Sequence, residues 1–365
     1  MSRVAVLGAA GYVGRHLCRV LTEAGHQVVA VARSNGKFLL ADLDIELVHP
    51  EAAASVGQVA ALVNLAHPGP VFPWLYSRHD REIARLVQQI AASGARVVHA
   101  SSIAVFGYGL DHAMNAAPVH RRRDYAYIES KINQENLLRR AMMKGSLGRD
   151  LQIVRLGNVW GPASPGWTAM LAGRLLFGDP VGVEGIDGYS NVTDVANAAS
   201  YLAHLAVARP EGSSGFHHLA EFSDTPWSFW IDRMAAFLQV DPVRSRTAPH
   251  YAVKPWQEIQ ALLAAYGPLA MAKGALRTRF LESWMRSVLQ HLPQRALDRL
   301  ERRALAAGTG GSGDDKLGAI WLTLFSAKRY LRCVLDPEWC PPVDRETSWL
   351  RVRDWLDVAG YGAPQ

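Results

Sequence analysis

Short apolar runs and helical stripes alternate along the first two hundred residues. Arg3–Gly8, "RVAVLG", is a β-branched run of strand length, and Gly11–Gly25 carries apolar residues at helical spacing up to a glycine stop. "QVVAVAR", "IELVHP" and "AALVNLAHPG" continue as strands, the last two separated by an Ala-rich helical segment. "DREIARLVQQIAASG" predicts a helix ending at Gly94, "ARVVHASS" a strand, "YIESKINQENLLRRAMM" a strong helix and "LQIVRLGNVWG" a further strand. Strands alternating with helices predict an α/β fold with a doubly wound parallel sheet and right-handed crossovers.

The pattern changes after Pro162. A Gly/Pro-rich stretch leads to a short strand and the helix of "VTDVANAASYLAHLAV". From about Ser223 the chain reads as mostly helical and rich in Trp and Arg. The division this suggests is a dinucleotide-binding domain over residues 1–165, completed by about 186–220. A smaller, mostly helical substrate lobe takes 166–185 and 221–365. "GTGGSGDD" reads as a flexible loop by composition.

Composition narrows the function classes. With 365 residues, 49% hydrophobic and 20% charged, the chain can bury a large core. The net charge is +6, and eight Lys/Arg against three Asp/Glu between Met271 and Leu305 carry most of it. The rest is near neutral, so no nucleic-acid partner is expected. Three cysteines, Cys18, Cys333 and Cys340, make neither a disulfide framework nor a metal pattern. With no signal-peptide core and no long apolar run, a cytoplasmic location is expected. Two C-terminal stretches, "GALRTRFLESWMRSVLQHL" and "KLGAIWLTLFSAKRYL", are amphipathic and basic. They suit either packing on the substrate lobe or a peripheral membrane contact.

The candidate chemistry begins at "GAAGYVG". A strand ending at Gly8, a tight turn and a helix opening near Gly11, with Gly14 one turn on, make room for a pyrophosphate at a helix N-terminus. The second strand ends in Ala32, Arg33 and Ser34, where an acid would bind the ribose hydroxyls of NAD. A guanidinium followed by a hydroxyl suits a 2′-phosphate, which favours NADP(H) over NAD(H); the plain alternative is a solvated arginine. Tyr127 and Lys131 share one helix face at i,i+4. An ammonium there favours the phenolate, so Tyr127 can exchange a proton with an alcohol or carbonyl. Ser102, at a strand end, can hold the reacting oxygen.

The order of "GAAGYVG", "LVNLAH", "ASSIAVFG", "YIESK", "VRLGNVWGP" and "NVTDVA", over roughly Arg3 to Ala199, resembles the extended short-chain dehydrogenase/reductases of the NAD-dependent epimerase/dehydratase type. The resemblance implies a Rossmann sheet and catalysis by Ser102, Tyr127 and Lys131. Cofactor contacts would come from Gly8, Gly11, Tyr12, Val13, Gly14, Arg33, Ser34, Leu65, Ala66 and Lys131. Asn158 would lie near the substrate; His67, after the fourth strand and near where the nicotinamide should lie, reads either as a substrate contact or as a loop histidine with no catalytic part. Asp194 would belong to a structural strand–helix junction, and pairing of relatives suggests a homodimer. A nucleotide-sugar-like small molecule is the leading substrate class.

Three positions depart from the pattern. "GIDGYSNVTD" lacks the arginine that often binds a substrate diphosphate. "IELVHPE" offers His49 and Pro50 where an acid is usual, and Phe106 replaces a tyrosine. Arg121, Arg122 and Arg123 stand before Tyr127 as alternative anion contacts or as a solvated charge run. Two other readings stay open: a reductase or dehydrogenase of a less polar, lipid-like, sterol-like or natural-product ketone or alcohol, and a non-catalytic cofactor-holding subunit or sensor.

Overall fold

The computed structural model describes residues 1–33, 36–67, 76–107, 126–148, 150–208, 214–246, 322, 324–327 and 329–361. Two compact units divide the chain, Met1–Arg246 with Leu324–Gln365, and Thr247–Thr323. Nearly all of the second lies outside the described residues, as do the first amphipathic stretch, the glycine-rich loop and Arg121–Arg123.

The first unit is built on a parallel sheet of seven strands. They are β1 (Arg3–Leu7), β2 (Gln27–Val31), β3 (Glu46–Val48), β4 (Ala61–Asn64), β5 (Arg96–Ser102), β6 (Leu151–Leu156) and β9 (Gly215–Leu219), in the order β3-β2-β1-β4-β5-β6-β9. β1 pairs with β2 on one side and β4 on the other, so the strand order reverses direction beside β1. In an open parallel sheet that reversal opens a crevice at the strands' carboxyl ends.

Helices cover both faces because the inner strands are apolar on both sides. One face packs Val4, Val6, Ala30, Val63 and Val154 against α1 (Tyr12–Glu23) and α6 (Val195–Val207). The other packs Ala5, Leu7, Leu62, Val97 and Ile153 against α3 (Tyr76–Ile90) and α4 (Ala126–Met143). A single turn of helix, α2 (Gly36–Leu39), follows β2.

Two elements depart from the reading of the sequence. "LQIVRLGNVWG" is two strands: β6 stays in the main sheet, and β7 (Asn158–Trp160) pairs with β8 (Val192–Asp194) in a separate ribbon. The break is Gly157, whose Cβ, were there one, would stand 2.9 Å from the Ala220 side chain. The Ala-rich segment before β4 is a 3-10 stretch, Pro50–Val56, opened by Pro50 with His49 as its cap.

Beyond the ribbon, α5 (Thr168–Phe177) packs on α7 (Trp227–Leu238), with Trp167 stacked on Trp227 at 5.3 Å. The last helix, α8 (Arg345–Val358), returns to the sheet domain. Asp194 caps α6 through the Ala196 amide (2.7 Å) and takes hydrogen bonds from Ser348 (2.5 Å) and Arg351 (2.7 Å). Asn197 exchanges two hydrogen bonds with the Val343 backbone. The junction after β8 therefore holds the C-terminal segment in place. Among the described residues no helix is long and apolar enough to cross a membrane.

Candidate active site

A cleft of about 250 Å³ lies at the crevice beside β1. One wall is the turn between β1 and α1. Gly8 has φ +88°, and a Cβ there would sit 3.0 Å from the Ala66 nitrogen and the Leu65 carbonyl carbon. A Cβ on Gly14 would stand 2.6 Å from the Ala9 carbonyl oxygen, so only glycine lets the helix close on the turn. Gly11 is the N-cap of α1 and no side chain caps the helix. Gly11, Tyr12, Val13 and Gly14, the N-cap and first residues of the helix, all line the cleft. Such an uncapped terminus carries partial positive charge and suits a diphosphate. These residues fit a dinucleotide.

Ser102, Tyr127 and Lys131 line the same cleft, with His67 and Leu65. Ser102 hydrogen-bonds the Tyr127 phenol. The Ser102 oxygen also accepts the Ala104 amide at 3.2 Å, which orients it at the start of a 3-10 turn. The Tyr127 and His67 rings lie 5.0 Å apart. Burial raises the Tyr127 pKa, and the hydrogen bond from Ser102 works against that rise. Lys131 donates to the Ala100 carbonyl at 3.0 Å. Burial pushes its pKa down to about 8, with Asp80 and Glu135 opposing.

Those two carboxylates were not singled out from the sequence. Asp80, on α3, is buried and accepts hydrogen bonds from Ser130 (2.6 Å), Asn133 (2.9 Å) and Gln134 (2.9 Å), all on α4. Glu135 is one turn beyond Lys131. It accepts the Ser101 hydroxyl at 2.5 Å and forms a two-pronged pair with Arg155 at 3.0 and 2.8 Å. Both hold the helix that carries Tyr127 and Lys131, and both favour the lysine's charged form.

A second missed pair is Asn64 and His99. The Ala66 amide donates to Asn64 Oδ1 at 3.0 Å, so Asn64 Nδ2 must face His99 Nδ1, 3.1 Å away. His99 Nδ1 is then an acceptor, and its proton sits on Nε2. That nitrogen is buried with no hydrogen-bond partner among the described residues. Burial and nearby Lys131 push the His99 pKa down to about 3. The unfolded chain therefore takes up a proton near pH 6.5 while the folded one stays neutral to about 3. Stability contributed by this site is full above pH 6.5 and falls as the pH drops below it. Melting temperatures between pH 7 and 5 should decline more steeply for the native protein than for His99→Gln. Equal slopes would show that another group governs the decline.

The remaining sequence candidates fall outside this cleft's lining. Arg33 is exposed at the end of β2, where its carbonyl accepts the Gly36 amide at 2.7 Å. Ser34 lies outside the described residues. Asn158 donates to the Ser190 carbonyl at 2.6 Å, in the ribbon beside the lining residues Gly157 and Val159. Ala66 backs Gly8 through its backbone.

The chain matches the NAD dependent epimerase/dehydratase family over residues 4–203 and belongs to it. It is an enzyme of a family of NAD-dependent epimerases, dehydratases and reductases. It is 28% identical over 272 residues to a 3-diazoavenalumate denitrifying reductase from a Streptomyces species, covering 67% of this chain and 84% of the relative. Among solved structures, gox2253 aligns over 99% of both chains with a TM-score of 0.61 at 18% identity. MoeE5, solved with UDP-glucose and NAD, aligns over 67% of this chain and 85% of its own with a TM-score of 0.51 at 24% identity. Both structural likenesses are of fold.

Proposed function

We propose that this enzyme moves hydride between NADP(H) and a carbinol or keto carbon, with Tyr127 as the proton donor and acceptor. The observation that carries this reading is that Ser102, Tyr127 and Lys131 line one cleft with Gly8, Gly11 and Gly14. A nicotinamide cofactor seated there supplies or takes up the hydride. Ser102 hydrogen-bonds the oxygen of the reacting carbon alongside the phenol, which gives up or takes its proton. Lys131, whose charged form Asp80 and Glu135 favour, lines the cleft with the phenol and holds the cofactor ribose. Leu65, Ala66, Tyr12 and Val13 complete the cofactor's walls. Arg33, exposed where the 2′-phosphate would lie, supports NADP(H).

Arg33→Ala should weaken NADPH binding by about tenfold or more, the loss of charge-assisted hydrogen bonds, and leave NADH binding unchanged. Fluorescence titration with both cofactors checks this. Equal losses for NADPH and NADH would reject the 2′-phosphate assignment.

For the substrate, a nucleotide-sugar-like compound fits the family. A second reading, reduction of a less polar carbonyl or related natural product, is favoured by the 28% identical reductase and by "GIDGYSNVTD", which has no arginine for a diphosphate. In that segment Gly188 and Tyr189 are instead paired to the backbone of Phe325 and Ala327, at 3.1 and 2.8 Å. Following nicotinamide absorbance with UDP-glucose and with a panel of aryl ketones separates the two. Turnover of neither substrate class by cofactor-loaded protein would count against both.

A further inference from the structure

Arg15, His16 and Arg19, outside the lining of the cleft, share one face of α1 with Tyr12, at helical spacing. They line a second cavity of about 270 Å³, closed by Leu39 and Asp42 and by the turn at Ala163. We propose that this cavity is a second binding site, for a small organic anion that carries an apolar group.

The charge balance points to an anion. Arg19 is already paired with Asp42. His16 is neutral, because burial lowers its pKa and the guanidiniums of Arg351, Arg15 and Arg19 push the same way, against Asp194. Arg351 is itself paired with Asp194 at 2.7 Å. That leaves the charge of Arg15. Its Nε is buried and has no hydrogen-bond partner among the described residues. A buried donor left without an acceptor is costly, and a carboxylate or phosphate would satisfy it.

The walls point to the apolar part. The Tyr12 ring and Leu39 face the same space as Arg15. The turn opposite is fixed: the Tyr12 hydroxyl donates to the Pro162 carbonyl at 3.0 Å, and Ala163 is held at φ +58°, a conformation a non-glycine residue rarely adopts. Strain of this kind persists only where the surroundings impose it, and it collects at binding sites. Tyr12 lines both this cavity and the dinucleotide cleft.

The test is calorimetric titration of the full chain with phenyl phosphate and with inorganic phosphate, with NADPH saturating so that the glycine turn is taken. Phenyl phosphate should bind with one-to-one stoichiometry, and more tightly than inorganic phosphate. Arg15→Gln should weaken it by about tenfold, the cost of one charge-assisted hydrogen bond, with NADPH affinity within about twofold of native. Leu39→Trp, at a position 42% exposed and so tolerant of size, should fill the cavity and abolish binding. Loss of phenyl phosphate binding once NADPH is present, or equal affinity in both variants and the native protein, would overturn the proposal. The same titrations without cofactor compare the same variants, so a failure of the NADPH assignment leaves this test standing.

Discussion

Tyr127→Phe is expected to lower the rate of hydride transfer by about 10²- to 10⁴-fold and to leave the NADPH dissociation constant within about twofold. The substitution removes one oxygen and keeps the ring, so the 5.0 Å contact with His67 and the wall of the cleft survive. Ser102 keeps its hold on the Ala104 amide and stays oriented. What is lost is the group that exchanges a proton with the reacting oxygen. Lys131→Met should behave differently, reducing rate and cofactor affinity together, because it removes both the positive charge that lines the cleft with the phenol and the group that holds the ribose.

The pH profile distinguishes the phenol–lysine pair from a histidine. Burial raises the Tyr127 pKa, so the phenol stays protonated and ready to donate across neutral pH. Lys131, pushed down to about 8, is the group expected to titrate in the working range. The reducing rate should be flat below that value and decline above it as the ammonium is lost. His67, whose pKa burial lowers to about 3, contributes no inflection near neutrality. Retention of native turnover by Tyr127→Phe would move the proton donor elsewhere in the cleft.

The sheet was legible because its strands are local apolar runs punctuated by glycine. Every strand from β1 to β6 falls within a run marked from the sequence. β9 leaves no such signal, because "GFHHL" places two histidines where a core strand should be apolar. They are buried through partners far away in the chain. His217 bonds the Tyr201 hydroxyl at 2.6 Å and Gln152 at 2.9 Å, and the His218 ring packs edge-on against Phe106 at 5.4 Å. The same contrast runs through the site. The glycine turn and the Tyr127–Lys131 pair are patterns of close neighbours and show in the sequence. Asp80 meets Ser130 across 50 residues, and Asn64 meets His99 across 35, so neither relation leaves a local signal. Helix spacing also put the ammonium beside the phenol, but tertiary burial and Ser102 set the phenol's proton affinity here. None of that is a property of a helix alone.

Arg155→Met should cost about 3–5 kcal/mol of stability and lower the melting temperature on the order of 10 °C. Arg155 and Glu135 are both buried, and the arginine stacks on Phe106 and Phe216 at 5.0 and 4.6 Å while its Nη1 lies 3.5 Å from His218. Removing it leaves the Glu135 carboxylate without its ion-pair partner inside the sheet–helix interface, where among the described residues the Ser101 hydroxyl still donates to it. The cost is that of stranding a charge and does not measure what the pair adds. The double variant Arg155→Met with Glu135→Met should therefore recover most of the lost stability, since two apolar side chains of similar size need no partner. It should recover less of the activity. Glu135 is one of the two carboxylates that favour the charged form of Lys131, and with it gone the lysine's titration should move below about 8. Differential scanning fluorimetry and a pH–rate profile on the two variants read these effects separately. Stability losses that simply add, or a double variant with a native pH profile, would show that Glu135 neither depends on Arg155 nor acts on Lys131.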